Sequence, residues 1–220
     1  MGRQVTGAPA ATRDKETLSE ALGARIRKER EAAGLTVRGL AAKINVSPSL
    51  ISQIERSRST PSVATLWAVA TELGIHVGDL FDGLDAAQAQ RRPSPVQPHE
   101  TRKAITLEGG VRWERLTPGS DDVVDFVYVV YPVGAESCPA DALTRHGGLE
   151  YGYVVSGTLG VQIGSDEHVV RSNDSIRFES GAPHRLWTIG DVPAVAVWAV
   201  VDRCVDDRAR RVRVRRATTP

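Results

Sequence analysis

The chain has 220 residues, 41% hydrophobic and 25% charged, with a formal net charge of +1. That is the profile of a globular protein of one or two domains, and it excludes a mostly disordered chain, a collagen-like repeat and a coiled-coil rod. No apolar run approaches the ~20 residues that span a bilayer, and the opening MGRQVTGAPAATRDKET lacks a signal-peptide apolar core. Two cysteines, Cys138 and Cys204, give neither a disulfide framework nor paired zinc ligands, which points to a reducing cytoplasm with no membrane partner.

Charge is distributed unevenly. Residues 22–60 hold eight Lys/Arg against three Asp/Glu, whereas residues 99–202 hold eight against fifteen. A basic front, an acidic middle and an Arg-rich end suggest two functions in series, one of them facing a polyanion.

In chain order, residues 1–17 lack periodicity and read as a disordered arm. Residues 18–82 form a helical domain of five helices, with apolar residues three and four apart: Leu18, Leu22, Ile26; Leu40, Ile44; Leu50, Ile54; Leu66, Val69, Ala70, Leu73. Thr36 is the N-cap candidate of a short helix carrying Leu40, Ala41 and Ile44. Asn45 tolerates positive φ and makes the turn. Ser47 caps the next helix, Pro48 opens it, and Leu50, Ile51 and Ile54 form its inner face. Its outer face is polar: Ser49, Ser52, Gln53 and Arg56.

Residues 83–103, with prolines at 93, 95 and 98, read as a linker. Residues 104–204 are rich in Val, Ile, Tyr and Trp, broken about every ten residues by Gly, Asn or Pro, the rhythm of an all-β barrel or sandwich. The fold class is therefore α + β in two domains, followed by a basic tail over 205–220. LGVQIG is followed by strand pattern, so its glycines are not a nucleotide fingerprint.

The segment LGARIRKEREAAGLTVRGLAAKINVSPSLISQIERSRSTPSVATLWAVATELGIHVGDLF resembles the phage-repressor-like helix-turn-helix family throughout. The matching features are Ala41, Asn45 at the turn, Ile51 and Ile54 under the recognition helix, Ser49-x-x-Ser52-x-x-Glu55-Arg56, and Pro61 opening the fourth helix. Val37 departs from the pattern, where many members carry a phosphate-touching Gln. The resemblance implies that Ser47, Ser49, Ser52, Gln53 and Arg56 face base edges, with Arg25, Lys28, Arg38, Lys43 and Arg58 on phosphates. Glu55 is expected in an intradomain ion pair with an arginine.

In the β region His146 and Glu150, four apart, lie on one side of an extended chain, and His184 follows on a Gly-Ala-Pro turn. By parity Gly152 and Val154 share that inward side, while Tyr151 and Tyr153 face outward. Phe126, Tyr128, Trp187 and Trp198 are expected to pack in the core or line a pocket. Gly134…His146-x-x-x-Glu150…Gly157 and Asn173-Asp174…Gly181-x-Pro183-His184 resemble the two cupin motifs, implying a jelly-roll barrel. Thr144 stands where the family pattern has a further His.

The remaining His146, Glu150 and His184 suit a single divalent metal (Fe, Zn or Ni) with open positions, or else form polar anchors of a metal-free effector pocket with Thr144. The two domains together resemble bacterial regulators that pair a helix-turn-helix with a cupin sensor. That implies a cytoplasmic, nucleoid-associated homodimer binding an operator in double-stranded DNA and a small-molecule effector, with no catalytic residues. An alternative of another class is the mononuclear non-haem iron enzyme that epoxidises 2-hydroxypropylphosphonate, similar in layout. There a lysine after the first helix reaches the phosphonate, and Gly34 stands at that place here.

Overall fold

The computed structural model describes residues 10–81 and 94–201, with side chains from residue 21 onward. The expected arm up to residue 9, most of the linker, Cys204 and the basic tail lie outside the described residues. The first helix, α1 (Ala10–Ala32), begins eight residues earlier than the sequence pattern suggested, inside the expected arm. Three more follow: α2 (Val37–Lys43), α3 (Pro48–Glu55) and α4 (Val63–Leu73).

The helical half therefore has four α-helices among the described residues, not five. Gly74 ends α4 in the left-handed conformation (φ 66). The remaining segment makes only a five-residue 3-10 helix, Val77–Phe81. So short a segment gains little from intrahelical bonds, and its backbone bonds elsewhere. Gly78 N–H donates to Asp125 Oδ1 at 2.6 Å, and its carbonyl accepts from Arg115 Nη1 at 3.0 Å.

Local chemistry fixes the other helix ends. Thr36 Oγ1 accepts from Gly39 N–H and Ser47 Oγ from Leu50 N–H, each an N-cap that satisfies an otherwise unpaired donor. Asn45 takes φ 55 at the turn. Pro61 lies one residue before Ser62, the N-cap of α4, so it precedes the helix instead of opening it. Leu40, Ala41, Ile51 and Leu66 are fully buried between the helices. A methyl at Gly23 would lie 2.5 Å from the Ile54 carbonyl, so α1 and α3 approach this closely only because residue 23 has no side chain.

Among the described residues the second half has nine antiparallel strands: β1 (Ala104–Thr106), β2 (Arg112–Arg115), β3 (Val124–Tyr131), β4 (Leu149–Ser156), β5 (Thr158–Ile163), β6 (Asp166–Arg171), β7 (Ser175–Glu179), β8 (His184–Thr188) and β9 (Ala194–Val201). One sheet runs β1-β2-β3-β9-β4-β7, the other β6-β5-β8. Period-two burial is cleanest in β9, whose alternate residues Ala194, Ala196, Trp198 and Val200 are buried.

The closed barrel expected from the sequence is instead a two-sheet sandwich with free edges. The chain between β3 and β4, carrying Pro132, Gly134 and Pro139, pairs with β8 through the isolated bridges Glu136↔Trp187 and Thr144↔His184 and not through a continuous ladder. Proline has no ladder donor, so this stretch cannot continue the small sheet and close it. The buried cores of the two halves are continuous: Phe81, Ile105, Val111 and Trp113 belong to one cluster with Leu66 and Val69. The linker's last residues already join the β half, since the Lys103 carbonyl accepts from Arg115 N–H.

Candidate functional site

The first candidate surface is the outer face of α3. Ile51 and Ile54 are buried beneath it, which orients Ser49 and Gln53 outward, exposed and 3.3 Å apart (Gln53 Nε2 to Ser49 Oγ). Ser47 is exposed but its hydroxyl is committed to capping. Arg56 folds back on the helix, Nε donating to the Ser52 carbonyl and Nη2 to Ser52 Oγ.

Glu55 is held from below. Arg30 donates Nε to Glu55 Oε1 (2.5 Å) and Nη2 to Glu55 Oε2 (2.9 Å), and its Nη1 bonds the Leu35 carbonyl. This buried two-pronged pair is the ion pair expected from the sequence, and it ties the end of α3 to α1.

The five candidate phosphate residues divide. Lys28, Arg38 and Arg58 are exposed, whereas Arg25 is paired with Glu29 at 2.8 Å and Lys43 with Glu72 at 2.5 Å.

The second candidate site lies between the sheets. His146, Glu150 and His184 are all buried, with ligand atoms within 4.8 Å of one another. Glu150 Oε1 is 3.2 Å from Nε2 of both histidines. His146 Nδ1 is 3.0 Å from the Gly147 carbonyl and His184 Nδ1 2.9 Å from the Ala182 carbonyl. A carbonyl only accepts, so each Nδ1 carries a hydrogen and each ring turns its Nε2 toward Glu150. Two imidazole nitrogens and a carboxylate converging in a buried space attract a cation, a proton or a metal ion.

Burial pushes the Glu150 carboxyl up, but the neighbouring His146 and His184 and the Trp198 N–H outweigh it and hold the group below its ordinary value. Burial holds His184 below the usual imidazole value despite Glu150. Both shifts favour the deprotonated ligand forms that a metal needs.

Trp198 Nε1 donates to Glu150 Oε2 at 2.7 Å, fixing the carboxylate so that Oε1 faces the histidines. The indole lies flat over Gly152, where an added Cβ would come within 2.1 Å of the ring. Thr144, in the position of the missing histidine, pairs with His184 through both backbone bonds (3.0 and 2.9 Å), and its buried Oγ1 has no protein partner. Tyr151 and Tyr153 are exposed and Gly152 and Val154 buried, as strand parity requires. Phe126 lies outside the core: it is exposed on the outer face of the large sheet, where it lines an open depression with Tyr151 and Tyr153.

The cavity around the cluster is small, with about 30 Å³ free, room for a water or two. Its other walls include Trp113, Asp125, Tyr131 and, from α4, Val63 and Trp67. Trp67 stacks face to face on His146, with centroids 4.0 Å apart and planes at 5°, and meets Trp113 edge-on at 6.2 Å. Sequence reasoning missed Trp67. The available signal was a large aromatic off the Leu66, Val69, Ala70, Leu73 stripe, which marks a second buried face on α4.

Residues 26–80 match the helix-turn-helix family model and residues 127–200 the cupin domain model. The HTH-type transcriptional regulator SutR of Escherichia coli is 24% identical over 169 residues, covering 77% of this chain and 88% of that protein. The immunity repressor protein of Bacillus phage phi105 is 48% identical over 56 residues, 26% of this chain and 39% of the repressor. An HTH_3 family transcriptional regulator from Vibrio cholerae superposes with a TM-score of 0.62 at 24% identity, over 86% of this chain and 98% of that one. The match to the phage protein spans about a quarter of this chain, while those to the Escherichia coli regulator and the Vibrio cholerae structure extend through both halves.

Proposed function

We propose that this chain, whose two halves match the helix-turn-helix and cupin domain models, is a transcriptional regulator in which α3 reads an operator and the cupin pocket binds a small-molecule effector. The observation that carries the DNA-reading half is the polar outer face of α3, with Ser49 and Gln53 exposed over the buried Ile51 and Ile54. A helix so mounted enters a major groove with its N-terminal residues toward base edges. Ser52 and Arg56 supply further donors, and Ser47 contributes through the backbone at the helix start. Lys28, Arg38 and Arg58 are free to hold phosphates, and Arg25 and Lys43 do so on exchanging their intradomain partners.

One such module buries little DNA surface, so the working form is a homodimer on two half-sites. The outer face of the large sheet, exposing Phe126, Tyr151, Tyr153 and Val155, supports pairing through the cupin domains. The domain assignment (18–82 for DNA, 104–204 for the sensor) and a cytoplasmic location belong to the same proposal. Among the described residues no helix is long and apolar enough to cross a membrane.

In the sensor, His146, Glu150 and His184 would hold one divalent metal ion, Fe, Zn or Ni. The two converging Nε2 atoms and the Glu150 Oε1 that lacks a hydrogen-bond partner are the features that fit it. When bound, such an ion supplies a Lewis-acidic anchor with open positions for an effector's oxygen or nitrogen donors. The iron-epoxidase alternative fails at Gly34. That residue is exposed in the left-handed conformation (φ 69) and provides no cation for a phosphonate.

The test is selection of duplexes from a random-sequence pool by the purified chain. Enrichment of a palindrome with half-sites about one helical turn apart is expected, and absence of any enriched sequence overturns the reading.

A further inference from the structure

Two features of the cavity conflict with its use by an organic ligand. It is lined by a buried polar cluster with partnerless atoms, Glu150 Oε1 and Thr144 Oγ1, which calls for an occupant. Yet its free space holds no more than a water or two, because the Trp67 indole fills the volume above His146. Trp67 does not belong to the sheets that make the pocket. It projects from α4, one helical turn after Val63, the other pocket residue of the DNA-binding half.

The same helix is bound to both halves. On the cupin side, Ala64 N–H donates to the Ser137 carbonyl at 3.3 Å and the Pro61 carbonyl accepts from Glu108 N–H at 3.0 Å. On the other side Leu66, Val69 and Ala70 are buried in the helical core, and Glu72 pairs with Lys43 of α2.

From this geometry we infer that Trp67 is the movable wall of the effector site. A ligand that reaches His146, Glu150 and His184 with an oxygen or nitrogen donor must place its body where the indole lies, so it displaces Trp67 from His146. The inference rests on the effector-binding reading and deepens it. The class of ligand is a small molecule with a polar, metal- or histidine-directed end and a flat or compact apolar body, matching the surface that Trp67, Trp113 and Val63 cover.

The consequence for regulation is reciprocal. The docked arrangement, with Trp67 on His146, excludes the ligand, and the bound ligand disfavours the docked arrangement by the same factor. Because α4 is packed directly on the elements that carry α3, the orientation of the recognition helix relative to the cupin domain changes with pocket occupancy.

The experiment uses the metal-free chain of 220 residues and needs no knowledge of effector or operator. Diethyl pyrocarbonate acylates accessible imidazoles, and peptide mass spectrometry gives the rate at each histidine, with the exposed His168 as internal reference. In the native chain His146 should react far more slowly than His168. Trp67→Ala should speed His146 at least tenfold while His168 is unchanged, and Trp67→Phe, which keeps a ring over His146, should stay slow and report correct folding. Indole at millimolar concentration should refill the vacated space and slow His146 again in Trp67→Ala, with no effect on the native chain.

Amide hydrogen exchange on the same samples should show α4 less protected in Trp67→Ala, with protection regained on adding indole. Equal His146 rates in the native and Trp67→Ala chains overturn the inference. So does accelerated His146 with unchanged exchange in α4, since the wall would then move without the domain. No readout involves DNA, so a failed operator selection alongside a fast His146 would sink the regulator reading and leave the movable wall standing.

Discussion

The recognition surface and the cupin pocket are built in opposite ways. The residues of the first, Ser47, Ser49, Ser52, Gln53 and Arg56, lie close together in sequence on one capped helix, and all but the half-buried Ser52 are exposed. Those of the second come from α4, β2, β3, the β3–β4 connection, β4, β8 and β9, and apart from the half-buried Trp67 they are buried. A DNA-reading helix needs only an orientation, which two buried isoleucines and one buried ion pair provide. A pocket that gathers two imidazoles and a carboxylate must offset desolvation at each group, so every member is tied by a backbone carbonyl or an indole N–H. The difference teaches where a substitution will be felt: through support at the helix, and through direct contact in the pocket.

The largest effect should come from the helix's support. Glu55→Ala leaves Arg30 buried without its partner and should cost about 3 kcal/mol of stability, read from urea denaturation, against under 1 kcal/mol for alanine at exposed Gln53. Equal costs would mean that α3 is not held from below. His146→Ala should weaken divalent-metal binding at least a hundredfold by calorimetry, whereas His168→Ala should leave it unchanged. Comparable losses from both would show that the metal binds elsewhere.

Gly152→Ala forces a methyl into the Trp198 ring and should destabilise the chain by about 1–3 kcal/mol. It should also weaken metal binding, because the Trp198 N–H no longer fixes Glu150; a change in stability alone would make that hydrogen bond incidental. On the DNA side, Gln53→Ala should cost about 1–3 kcal/mol at one operator position. Arg38→Ala should instead weaken all duplexes alike and lower the salt slope by about one. Identical sequence preference in native and Gln53→Ala chains would remove Gln53 from the reading face.

The smallest effect is in pH. Burial holds His184 below its ordinary value of 6.5, so on acidification the unfolded chain binds a proton that the folded chain resists. Stability of the metal-free protein should therefore fall as pH drops through about 6.5. Glu150, also held below its ordinary value, should add a further loss only below about pH 4.5. His184→Gln should flatten the first part of the curve, and an unchanged slope would assign it to other groups.

The sequence alone determined what short-range chemistry dictates. The caps at Thr36 and Ser47, the left-handed turn at Asn45, the inner face of α3 and the parity of β4 follow from residues within a few positions of each other. So did the His146, Glu150 and His184 set, because the two motifs carry it in fixed spacing. It misjudged the ends and the closure. The 3-10 helix in place of a fifth α-helix and the open sandwich were decided by tertiary bonds, such as Gly78 to Asp125, or by prolines that leave a stretch unpaired.

Nor could it supply Trp67 stacked on His146, or Trp198 laid over Gly152 with its N–H on Glu150. Those contacts join positions 79 and 48 residues apart. Periodicity records which face of a helix or strand is buried, but not what it is buried against. Only the packing of one half on the other decided that a helix of the helix-turn-helix half would form a wall of the cupin pocket.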